Sequence, residues 1–116
     1  LEAIGFDGIK MLEGKPVLHR TIGKNLLNLE HDKFFAEAEK RGTHIVLHAN
    51  DPKEFWTTEG LDYYGDDTYA SHEELYRQAY AILEKHPNLC VTLAHFFFKG
   101  DKPQDLIDLF EKYIDL

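Results

Sequence analysis

The chain has 116 residues, enough for a single domain over 1–116 with one modest core, and too few for a closed eight-unit β/α barrel, which takes roughly 200 residues or more. Apolar residues make up 43% of it and the formal net charge is −8, so the composition is that of a folded, acidic domain. That charge argues against nucleic acid as a partner, because phosphate binding needs clustered Lys and Arg, and Arg20, Arg41 and Arg77 are scattered; no apolar run is long enough to span a bilayer.

Three units of one plan follow along the chain, each a strand, a loop and a helical pattern. Such alternation predicts an α/β fold with a parallel sheet and crossover helices. The first strand is expected over Phe6–Leu12 and a loop over Glu13–Asn28. A helix is expected from about Asp32, read as its N-cap, to Arg41, with Phe34, Phe35 and Ala38 on the apolar face and Gly42 as the stop. The second strand is His44–His48. A polar loop, Ala49–Lys53, an aromatic segment and a Gly-, Asp- and Tyr-rich stretch over 60–69 lead to Ser71-His-Glu-Glu74, a capping box. Leu75, Tyr76, Ala79, Ile82 and Leu83 form the stripe of the helix it opens, which ends at Pro87. The third strand is Leu89–His95. Phe96, Phe97 and Phe98 and a turn at Lys99–Lys102 precede a helix with Pro103 in its first turn and Leu106, Ile107, Leu109 and Phe110 on its apolar face. Tyr113–Leu116 has the pattern of a fourth strand.

Two histidines stand out by position. His48 closes Ile45-Val-Leu47 and His95 closes Val91-Thr-Leu-Ala94. In parallel α/β folds, ligands and catalytic groups gather at the carboxyl ends of the strands. Neighbouring strands lie about 4.8 Å apart, so two imidazoles at that rim are within reach of one metal or one substrate. Each alone is also explained as a hydrogen-bonded structural residue. Lys10 interrupts an apolar strand one unit earlier. It is read as an ion-pair partner of Asp7 or another strand, a substrate anchor or, if carbamylated, a metal bridge. Asp51 is read as a partner that orients an imidazole or, slightly preferred, as the N-cap of the segment 52–56. The aromatic residues Phe96–Phe98, Trp56, Tyr63 and Tyr64 suit either a pocket mouth or core under a loop. His19, His31, His72 and His86 are expected in solvent. The lone Cys90 is expected to be a buried core residue, and with no disulfide available the default compartment is the reducing cytoplasm.

Gly5-Phe-Asp-Gly-Ile-Lys-Met-Leu12, His44-Ile-Val-Leu-His-Ala-Asn-Asp51 and Asn88-Leu-Cys-Val-Thr-Leu-Ala-His-Phe96 together resemble the middle of an amidohydrolase-related protein. The resemblance covers essentially the whole chain and implies part of a TIM-type (β/α)8 barrel, about three β/α units long. It implies a metal-dependent hydrolase acting on a small molecule, with a divalent ion, zinc or manganese, at the carboxyl ends of the strands. His48 then stands where the family's fifth-strand ligand lies. His95 matches the sixth-strand position, as a second ligand or a catalytic group, and Lys10 lies in the strand where some members carry a bridging lysine. The family's His-x-His is absent from these residues, and no eighth-strand Asp can be assigned, so the chain is expected to be an internal part of a longer protein. The same resemblance also allows a metal-dependent decarboxylase. From a different class, the chain read alone is an inert or interacting module, whose uncovered faces favour a homo-oligomer.

Overall fold

The computed structural model describes residues 4–23, 25–57 and 63–113. Within them, strands β1 (Gly8–Gly14), β2 (His44–Ala49) and β3 (Val91–Leu93) alternate with helices α1 (Pro16–Ile22), α2 (Leu29–Arg41), α3 (Glu54–Thr57), α4 (His72–Lys85) and α5 (Pro103–Tyr113). The strands form one parallel sheet in the order β1-β2-β3. The architecture is therefore α/β, as the alternation predicts.

Register decides what each side chain meets. Ile9 aligns with Ile45 and Val91, and Met11 with Leu47 and Leu93. This set lies on the helix-covered side and, with Phe35, Ala38, Ala79, Ile82, Phe97 and Leu109, makes the core. Alternate residues face the other way. There Lys10 aligns with Val46 and Thr92, and His44, Lys10, Leu12 and Thr92 are exposed. One face of the sheet is thus packed and the other is open, a departure from the usual double covering of parallel sheets. Cys90 falls in step with Thr92 and is exposed, against the expectation of a buried thiol; a one-residue step in a strand changes the face.

The helix ends follow local chemistry, with two corrections. The α2 helix begins before Asp32. Asn28 is its N-cap, its side-chain oxygen accepting from the His31 N–H at 3.0 Å, and Asp32 lies inside the first turn. The segment expected to be all loop contains α1, with Pro16 at its start and Gly23 at φ 66° closing it. Gly42 (φ 66°) ends α2 as expected. Ser71 caps α4 by accepting from the Glu74 N–H at 3.1 Å. The Glu74 carboxylate turns instead to Arg77 and Gln78, and these bonds bring its pKa down to about 2. Ile107, expected on the apolar face of α5, is exposed. Tyr113 is the last residue of α5, and the rest of the expected fourth strand lies outside the described residues.

Candidate functional site

The carboxyl end of β1 carries a bulge. Met11 pairs with Leu47 and Gly14 with Ala49, so β1 spends three residues where β2 spends two. The bulge brings Gly14 so close to β2 that a Cβ there would run into the His48 carbonyl and lie 3.1 Å from the Ala49 Cα. Just past β2, Asn50 turns the chain at φ 70°. Asn is among the few residues that enter this left-handed region readily. Asn50 is fully buried: its N–H donates to the Gly14 carbonyl at 2.8 Å and its side-chain amide to the His72 carbonyl at 2.7 Å.

This turn folds Asp51 back over His48. The His48 Nε2 lies 2.9 Å from the Asn50 carbonyl oxygen and 3.3 Å from Asp51 Oδ1. Neither oxygen can donate, so Nε2 carries the hydrogen and, in the neutral ring, the lone pair sits on Nδ1. Tyr64 donates its hydroxyl to the other Asp51 oxygen at 2.8 Å. All three side chains are buried. Burial alone would raise the Asp51 pKa, but the bonds from His48 and Tyr64 and the Lys15 charge prevail and lower it. Burial, and then the Asp51 bond, raises the Tyr64 phenol. The expectation that Asp51 caps the segment 52–56 is corrected: its two oxygens serve His48 and Tyr64.

His95 arrives from the neighbouring strand. The third strand stops at Leu93, two residues short of the expected His95, and residues 95–98 form a left-handed turn with φ of 55°, 49°, 51° and 56°. Phe97 plugs into the core, and Tyr76 donates its hydroxyl to the Phe97 carbonyl. The turn swings His95 back to His48, ring centroids 5.4 Å apart and nearly perpendicular. Phe98 stacks on His95 at 5.2 Å and meets His48 edge-on at 5.6 Å. The two imidazoles and Asp51 therefore occupy one rim. His95 is exposed and, among the described residues, has no hydrogen-bond partner.

Lys10 lies elsewhere. It is exposed on the open face, in register with Val46, two residues short of His48, and among the described residues it makes no ion pair with Asp7 or another strand. Glu13, at the bulge on the same rim, carries a buried oxygen, Oε2, without a hydrogen-bond partner among the described residues. Such an acceptor calls for a water or a cation. Among the described residues, no three His, Cys, Asp or Glu side chains converge to hold an ion. The donors thus fit a divalent metal in kind, as imidazole nitrogens and carboxylates, while the described residues gather two imidazoles at one point.

The other expectations divide. Phe97 is core, Phe98 belongs to the site and Phe96 is exposed. The Trp56 indole donates to the Ala70 carbonyl at 3.2 Å and packs on Tyr64 and His72. His86, expected in solvent, is buried between α4 and α2, 3.2 Å from Asp32 and against the Phe35 ring. His19, His31 and His72 are partly covered. Asn50 and Glu13 are not distinguished as site residues by sequence, and Tyr64 is read there only as an aromatic of a pocket mouth or of core under a loop. The one legible signal was Asn50 itself, a residue tolerant of positive φ directly after a strand. No family model, curated protein or solved structure matches the chain. No helix among the described residues is long and apolar enough to cross a membrane.

Proposed function

We propose that the chain is part of a metal-dependent hydrolase of the amidohydrolase type, its sheet a segment of a (β/α) barrel. Three features favour the barrel: sequential strand order, one helix-covered face, and polar groups gathered at the carboxyl rim. The observation that carries the hydrolase reading is the His48–His95 pair. Two imidazoles from adjacent strands stand 5.4 Å apart, and one has its second nitrogen held by a carbonyl and a carboxylate. That outer arrangement is the usual setting of a metal-binding histidine.

His48, through Nδ1, and His95 would hold the ion, zinc or manganese, with further donors from outside this pair. When bound, the metal supplies Lewis-acid activation of water for attack on a small-molecule substrate. Asp51 and Tyr64 fix the tautomer and tilt of His48. Phe98 screens both imidazoles from water on one flank. His95, with no competing hydrogen bond among the described residues, keeps its ring nitrogens available to the ion or to a polar group of the substrate. An exposed lone thiol at Cys90 suits a reducing, cytoplasmic setting.

Elemental analysis after zinc loading and desalting tests the reading. The intact protein that contains this chain should retain zinc, and His48→Ala and His95→Ala within it should each lose it. Equal zinc content in His48→Ala would overturn the assignment.

A further inference from the structure

Beside the imidazole pair, on the far side of Phe98, lies an open cleft of about 630 Å³, within the usual range of small-molecule sites. Phe98 belongs to both, since it lines the cleft and packs on His48 and His95. The start of α3, the first turns of α4 and the turn 99–102 enclose the space. Its charged lining is Lys53, Lys99 and Lys102 against Glu54 and Asp101, and Glu73 and Asp105 stand behind the first two lysines, so that Lys102 is the lining cation without an ion-pair partner among the described residues.

The lysines differ in their commitments. Lys53 lies 3.6 Å from Glu73 and is mostly exposed. Lys99 is sheltered, its side chain only 18% exposed; its ammonium sits 4.7 Å over the Tyr76 ring and 3.2 Å from Asp105. Asp105 and the Tyr80 hydroxyl claim two of its three hydrogens and leave one for a ligand. Lys102 has no ion-pair partner among the described residues. His72 forms the inner wall, with its ring against Trp56 and Tyr76. Burial, helped by the charges of Lys53 and Lys99, lowers its pKa and favours the neutral ring, able to donate or accept. Tyr76 and Phe98 give the cleft apolar walls.

We propose that this cleft is an anion subsite, which takes the carboxylate or phosphate end of a small organic substrate whose reacting end lies across Phe98 at His48 and His95. As a substrate subsite it rests on the hydrolase reading; as an anion site it stands on its own lining. Lys102 and Lys99 bind the anion, His72 adds a neutral hydrogen bond, and Tyr76 and Phe98 flank the carbon skeleton.

The test is 15N NMR titration of the metal-free chain with phenylacetate, phenyl phosphate and the neutral phenylacetamide. At least one anion should shift the Gly100, Asp101 and Lys102 amides saturably, and phenylacetamide should not. Lys102→Gln, at an exposed position, and Lys99→Met should each weaken anion binding by about tenfold or more, the worth of one charge-assisted hydrogen bond. The tighter anion identifies the natural headgroup as carboxylate or phosphate. Undisturbed cleft amides at about 10 mM of either anion, equal binding of phenylacetamide, or full affinity in both lysine variants would overturn the proposal. No metal is present, so failure here leaves the zinc test intact. Anion binding by a chain that keeps its zinc in His48→Ala would instead remove the hydrolase reading and retain the subsite.

Discussion

At the scale of single residues, His48 is governed by groups that never reach a substrate. Asp51 and the Asn50 carbonyl share its Nε2 hydrogen, and Tyr64 occupies the carboxylate oxygen left over. The same arrangement couples Asp51 to stability. Its pKa is lower in the fold than in the free chain, so its contribution is complete above the unfolded value of about 4 and fades as pH falls through the lower folded value. Asp51→Asn keeps the shape and removes the charge. It should weaken zinc binding by about 10- to 100-fold, read by competition with a chelator. It should also flatten the acid limb of the urea midpoint plotted against pH. This coupling was only half legible. Asp51 after a strand-ending His is an evident orienting candidate, but the tyrosine that completes it lies 13 residues on, and only the folded loop brings it there.

At the scale of elements, the left-handed turn of residues 95–98 decides the site. Each residue in that region costs about 1–2 kcal/mol, an expense normally confined to glycine or asparagine. The burial of Phe97 and the Tyr76 hydroxyl on its carbonyl offset it. Phe96 bears the same backbone cost while 59% exposed, so it has little packing to set against it. Phe96→Gly should therefore raise stability by about 1 kcal/mol, less glycine's own entropic loss, read from urea unfolding. The run Leu89–His95 reads as an unbroken strand because its composition is that of one. Nothing in Phe-Phe-Phe signals positive φ. Tertiary packing overrides local preference here, and so the position of His95 could be expected but not its approach. The caps at Ser71 and Gly42 were legible because their chemistry is local. Asn28 displaced Asp32 because two capping residues lie one turn apart and sequence does not rank them.

At the scale of the whole molecule, the sheet is covered on one side only. Ile45-Val-Leu47 is apolar at every position, so the sequence reveals the strands but not which side of them is buried, and the side expected for Cys90 is the wrong one. The bareness of the other side follows from strand order, which no single strand reveals. In this sheet β2 is paired along both edges, whereas β1 and β3 each have one neighbour among the described residues. Native-state hydrogen exchange should find the slowest amides in 45–47, with 91–93 and 9–11 opening earlier. Equal protection across all three strands would contradict the order β1-β2-β3.

The two imidazoles are consequently mounted on unequal supports. His48 rides the doubly laced middle strand, with its ring clamped by Asp51, while His95 stands beyond the last rung of a strand with one neighbour among the described residues, carried by a wrongly handed coil that Phe97 burial and the Tyr76 hydroxyl keep wound. Warming that loosens the fold would therefore widen the gap from one side, with the second histidine departing while the first stays in place.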